Sequence, residues 1–303
     1  MIKSLAPERW ANDITVILKA SLGEERFPVD VGNVAREIST IKFPDDPISL
    51  IRGDSLPGFD GALAPAPSGK KGWGIIYNSD ISSKGRINFT LAHEFGHYLL
   101  HRFDYPKGFQ CASGDMTSWD SEYARLEAQA NCFASTLLMS LDDFRRQVDP
   151  KDRPGIDALG YCAERYEVSL IATILRWLQY TTRRSMVVIS RDDFILWSRS
   201  SEPAFRTGMY FKTCGQPPIE IPDFALAKQP SAILGGRGEV DHNSGTWFNT
   251  PCKEHVLVAD QYDFIISLLH FDDAAPQYND EPESEEDTYS LTVTQTFRQP
   301  RLD

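Results

Sequence analysis

The sequence predicts an α+β fold, and two kinds of periodicity carry that reading. Apolar positions recur at steps of four in two long runs, 89–101 (FTLAHEFGHYLLH) and 122–139 (EYARLEAQANCFASTLLM), as a buried helix face requires. Shorter runs at 73–78 (WGIIYN) and 186–200 (MVVISRDDFILWSRS) alternate as half-buried strands do, the second around an Arg-Asp-Asp turn.

Bulk properties narrow the class. The 303 residues suffice for two domains, and 41% hydrophobic with 24% charged residues describes an ordinary globular protein. No apolar run approaches the roughly 20 residues of a membrane span, and residues 1–20 lack the regions of a signal peptide. Five scattered cysteines without a C-x-x-C pair form no disulfide framework, so a reducing cytoplasm is expected. A net charge of −12 argues against broad, charge-driven binding to nucleic acid or anionic lipid. Eight acids and no base crowd into 272–287, however, so the remainder carries only −4 and leaves room for a local site.

In chain order, 8–22 reads as a helix, with Trp10, Ile14, Ile17 and Leu18 near helical spacing, and 31–38 as another. A short strand at 48–51 leads into a passage with Gly58, Gly61, Pro65, Pro67 and Gly69, read as loop. The strand at 73–78 is expected at a sheet edge, where exposed backbone pairs with extended substrate. Helices follow at 87–101 and 122–139, then two shorter ones at 158–166 and 169–180. Beyond the hairpin at 186–200 come strands at 255–259 and 264–271, a solvated acidic tract, and a last strand at 288–297.

The chemistry concentrates in His93-Glu94-Phe95-Gly96-His97, an HExxH pattern on the first long helix. Histidines four apart stand one above the other, roughly 6 Å apart along the axis, and two imidazoles there reach one ion at about 2.0–2.1 Å. Glu94 projects beside them, placed to take a proton from a water. His101, four further on, is too far along the axis to converge on the same ion and reads as a helix-end residue. Leu100 and Phe103 stand where a metzincin would need glycine and histidine. A third ligand must come from elsewhere. Glu127, four before Asn131 on the second helix, is the first candidate, with Glu122 and Asp120 behind it. His242, Cys252 and His255 match no standard metal spacing, and Cys132 reads as core.

Segments 85–102 (GRINFTLAHEFGHYLLHR) and 127–139 (EAQANCFASTLLM) resemble the signature of the ImmA/IrrE family of zinc peptidases, HExxH followed by E-x-x-A-N-x-F-A. FDGALAPAP with WGIIYN resembles its lead-in. The resemblance implies Zn2+ held by His93, His97 and Glu127, with Glu94 as catalytic base. It also implies a zincin-like peptidase domain at 1–150 and a helix-turn-helix-like segment at 151–184. A small GAF-like α+β sensor domain at 185–272 and an acidic tail at 273–303 would follow. The segment 141–184 carries eight basic against seven acidic residues, so packing against the peptidase domain rather than DNA reading is expected of it.

FQCxxxDM, at 109–116, is similar to a feature of family members paired with repressors in bacterial defence systems. Cys111 is accordingly a candidate inhibitory zinc ligand, as in a cysteine switch. Tyr123 is a candidate oxyanion donor. The implied substrate is a partner helix-turn-helix repressor, cleaved under stress or DNA damage, with single-stranded DNA as an activator. Arg183, Arg184, Arg191, Arg199 and Arg206 with Trp197 are the nearest candidates to meet that DNA. Two other classes compete: a DNA-binding regulator with a structural zinc, and an amide hydrolase acting on small molecules.

Overall fold

A computed structural model describes residues 6–112, 121–213, 215–229, 233–259 and 263–273. The acidic tract beyond Asp273, the strand expected at 288–297 and Asp120 lie outside these. The chain forms two compact units. One holds the described residues to Phe144 with Ala163–Ser169; the other holds Arg145–Cys162 and the described residues from Leu170 onward. Both mix helix and sheet, so the molecule is α+β. Among the described residues no helix is long and apolar enough to cross a membrane.

The first unit opens with α1 (Pro7–Leu22), started by a proline in its first turn, and α2 (Val31–Lys42), whose Asp30 side chain accepts from the Asn33 amide at 3.1 Å. Four strands follow: β1 (Ile48–Asp54), β2 (Phe59–Pro65), β3 (Trp73–Asn78) and, after the long helix α3 (Lys84–His101), β4 (Phe109–Ala112). Their order is β1-β3-β2-β4, with β1 parallel to β3 and the other pairs antiparallel. The edge position expected for 73–78 is therefore wrong. β3 is flanked on both sides, and its buried residues, among them Trp73 and Ile75, are those of an inner strand. The passage read as loop contains β2, whose Leu63 is buried opposite Ile75.

Ser83 caps α3, its hydroxyl accepting from the Arg86 amide at 3.3 Å. The far end of α3 is anchored by Arg102, a buried guanidinium 4.0–4.2 Å from the ring centres of Phe43, Tyr98 and Phe103 and bonded to Asp46 at 3.1 Å. Against α3 lies α4 (Ser121–Leu138). The two approach closely at Gly96, where a Cβ would stand 3.0 Å from the Phe133 ring and 3.3 Å from the Ala130 backbone. Helix α5 (Leu141–Gln147) follows, and its buried Asp143 accepts from Tyr166 at 2.7 Å and Arg165 at 2.8 Å.

The second unit is built on a six-stranded antiparallel sheet. Its strands are β5 (Ser185–Arg191), β6 (Phe194–Ser200), β7 (Ile219–Glu220), β8 (Arg237–His242), β9 (Cys252–Ala259) and β10 (Phe264–Phe271), in the order β7-β6-β5-β10-β9-β8. The expected hairpin is β5–β6, turned by Asp192 and Asp193 with φ of 51° and 66°, as a two-residue loop requires. Met186, Val188, Val256, Leu269 and Phe271 form one core face with Trp247 and Ile221. Between α6 (Ile156–Tyr166) and α7 (Leu170–Leu178) Glu167 turns the chain at φ 47°. Seven residues of α7, including Trp177, are buried, and α7 packs on β5 and β6.

Candidate metal centre

Helix α3 carries His93, Glu94 and His97 inward because Leu99, Phe95 and Ala92 already commit that side to the core; all three polar residues are buried. Burying them uncompensated would be costly, so their partners matter. His93 Nε2 and His97 Nε2 point at one another 2.9 Å apart. From α4, the Glu127 carboxylate closes the triangle, Oε2 at 3.2 Å from His93 Nε2 and Oε1 at 3.3 Å from His97 Nε2. These three form a group of potential metal donors within 4.8 Å of one another, and no other such group occurs among the described residues.

The spacing suits a metal better than it suits three protein groups alone. Donors about 2.0 Å from a tetrahedral zinc stand about 3.3 Å from one another, close to the separations here. The two imidazoles and one carboxylate are also the donor types that zinc takes in open catalytic sites. Electrostatics point the same way. Burial works against a charge on His93, but the Glu127 carboxylate, helped by Glu94, outweighs it and lifts the group to about 9. Burial and the neighbouring His93 push His97 down to about 4 despite its bond to Glu127. Burial alone would raise Glu127, yet the two histidines hold its carboxyl well below the usual range.

Around this centre, Asn131 Oδ1 lies 2.9 Å from His93 Nδ1. His101 is the last residue of α3, as expected, but it is buried: its Nδ1 lies 3.0 Å from His97 Nδ1, and its Nε2 lies 2.9 Å from Gln129 Oε1. Spacing of four from His97 gives proximity; only the fold adds Gln129. Gly61 of β2 passes directly over Glu94, where a Cβ would come within 3.0 Å of Oε1 and 2.5 Å of Thr90 Cγ2. Arg86 grips Asp60, the residue before Gly61, through two nitrogens at 2.6–3.1 Å, fixing β2 over α3.

Glu122, a fallback ligand, is exposed and accepts from the Tyr105 hydroxyl at 3.2 Å. Tyr123 is 41% exposed. Cys111 stands opposite Gly61 in the β2–β4 register, and its side chain lies outside those described. Trp197 is buried and cannot stack on a base, while Arg183 pairs with Asp273, Arg184 with Thr207, and Arg206 with Glu202.

Residues 45–178 match the family model of the M78 peptidases, described as the IrrE N-terminal-like domain. This stretch is similar to the M78 peptidase domain. The M78 match spans both helices that carry the donor triangle, and it agrees with the ImmA/IrrE resemblance of 85–102 and 127–139. No curated protein matches the chain.

Proposed function

We propose that this protein is a zinc-dependent endopeptidase, with His93, His97 and Glu127 as ligands and Glu94 as catalytic base. The observation that carries the reading is the triangle of donors at 2.9, 3.2 and 3.3 Å beside a buried glutamate on the same helix turn. Zinc, when bound, supplies Lewis acidity at the scissile carbonyl and makes water acidic near neutral pH. Glu94 accepts the proton as water attacks and delivers it to the leaving amine. Asn131 holds the His93 ring, and Tyr123 is the candidate donor to the oxyanion.

Gly61 keeps β2 clear of the Glu94 carboxylate. Extended substrate has β4, one of the sheet's two end strands, as its partner rather than β3. Because the register sets Cys111 opposite Gly61, the cysteine-switch role belongs with the same reading. The family resemblance supports a helix-turn-helix repressor as substrate, stress or DNA damage as the signal, single-stranded DNA as activator, and a cytoplasmic location. The six-stranded sheet of the second unit supports a GAF-like sensor role for it.

The test is incubation with the repressor of the neighbouring gene, with and without single-stranded DNA. Glu94→Gln should keep its zinc and lose cleavage about 10²–10⁴-fold. Zinc-loaded wild type that leaves the repressor intact under both conditions rules out the substrate. Cys111→Ala should cut without DNA; unchanged dependence on DNA removes the switch.

A further inference from the structure

Helix α4 does more at the donor triangle than contribute Glu127. Two of its amide side chains reach the imidazoles of α3 from behind, Asn131 directly and Gln129 through His101. We propose that His101 and Gln129 are positioning residues that fix the ring orientation and tautomer of His97, so that its Nε2 lone pair faces the ion; this rests on the metallopeptidase reading above.

The chain of hydrogen bonds has one self-consistent direction. An amide oxygen only accepts, so with Gln129 Oε1 at 2.9 Å the His101 Nε2 carries a hydrogen and donates it. In a neutral imidazole the other nitrogen is then an acceptor, so His101 Nδ1 offers a lone pair. His97 Nδ1, 3.0 Å away, must carry the hydrogen that fills it. That leaves His97 Nε2 bare, facing His93 Nε2 and Glu127. Were the chain reversed, His97 Nε2 would carry the hydrogen and point it at the place a cation should occupy. For His93 a single step from Asn131 Oδ1 does the same work. Burial makes the arrangement rigid: His97 and His101 are 0% and 4% exposed.

The experiment uses the full chain and three variants. His101→Phe keeps a ring but removes the acceptor. His101→Asn keeps an oxygen near the place of Nδ1, and Gln129→Leu removes the far end of the chain. Zinc affinity is measured by competition with a chelator, and the histidine tautomers of the metal-free protein by long-range nitrogen–proton NMR.

His101→Phe and Gln129→Leu should weaken zinc binding about 10- to 100-fold, the usual cost of losing such a partner, and His101→Asn should recover most of it. The His97 signal should show the Nδ1–H form in wild type and a mixture in the two weakened variants. Should His101→Phe fail to fold, Gln129→Leu carries the test. Zinc affinity and tautomer unchanged in both variants would overturn the proposal and leave the zinc reading standing. Loss of affinity that follows loss of metal-free stability, without rescue by His101→Asn, would reduce His101 to packing and overturn it too. A wild type that takes up no zinc removes both.

Discussion

At residue scale, the catalytic region is built on one absent atom. Gly61 has no positive φ and sits inside a strand, so the reason for glycine is space rather than backbone conformation. Alanine there would bring its Cβ within 2.5 Å of Thr90 Cγ2 and 3.0 Å of Glu94 Oε1. Overpacking of this kind costs about 1–3 kcal/mol. Gly61→Ala should therefore lower the unfolding midpoint and displace Glu94. Pairing it with Thr90→Ser, which removes the closer clash, should restore most of the stability while activity stays reduced. Full recovery of both would mean that Glu94 does not feel β2. The sequence shows a glycine at 61 but not its neighbour, because Thr90 and Glu94 arrive from a helix some thirty positions away. His101 is unreadable for the same reason: its role is defined by Gln129, on another helix.

At the scale of elements, legibility follows how much of each one's burial is local. Helices α3 and α4 can be read because their apolar period spans 18 residues each and their polar exceptions are the site itself. The β5–β6 hairpin can be read because its turn needs residues that tolerate positive φ, and Asp192 and Asp193 are such residues. Strand β2 hides behind its one glycine and one proline, and β8, RGEVDH, behind its charge; both are specified by their partners rather than by their own pattern.

Strand β9 shows what that partner-dependence means energetically. Its fully buried Glu254 accepts from the Leu226 and Ala227 amides, Ser267 of β10, Trp247 Nε1 and His242 Nε2 of β8, at 2.6–3.3 Å. Five donors converge on one carboxylate, so removing it strands all of them in the interior. Glu254→Ala should cost about 3–5 kcal/mol, the penalty of breaking a buried charged network. Urea unfolding reads this directly. A loss below about 1 kcal/mol would mean that water replaces the carboxylate and that the network is not a structural pin.

For the whole molecule, charge and burial make opposite predictions for acid, which allows a test. The net charge of −12 falls toward zero as carboxylates protonate, so long-range repulsion eases on acidification. His270 works the other way. It is buried on β10, with Nδ1 2.9 Å from Ser185 Oγ and Nε2 3.0 Å from the Pro154 carbonyl oxygen. Burial, only partly offset by the Pro154 bond, pushes its pKa down to about 3.

The unfolded chain, with an ordinary histidine near 6.5, binds the proton that the folded state refuses. Stability from this group is therefore complete above about pH 6.5 and drains as pH falls toward about 3, at about 1.4 kcal/mol per pH unit. Between about pH 7 and about pH 5 the loss should reach about 2 kcal/mol in the urea unfolding of the second unit. His270→Gln keeps a donor toward Pro154 and cannot be protonated. It should start from lower stability at neutral pH and flatten the slope by that amount. An identical slope in wild type and variant would assign the acid sensitivity elsewhere, first to His255, whose ring meets His270 edge-on at 5.4 Å and which burial also shifts down.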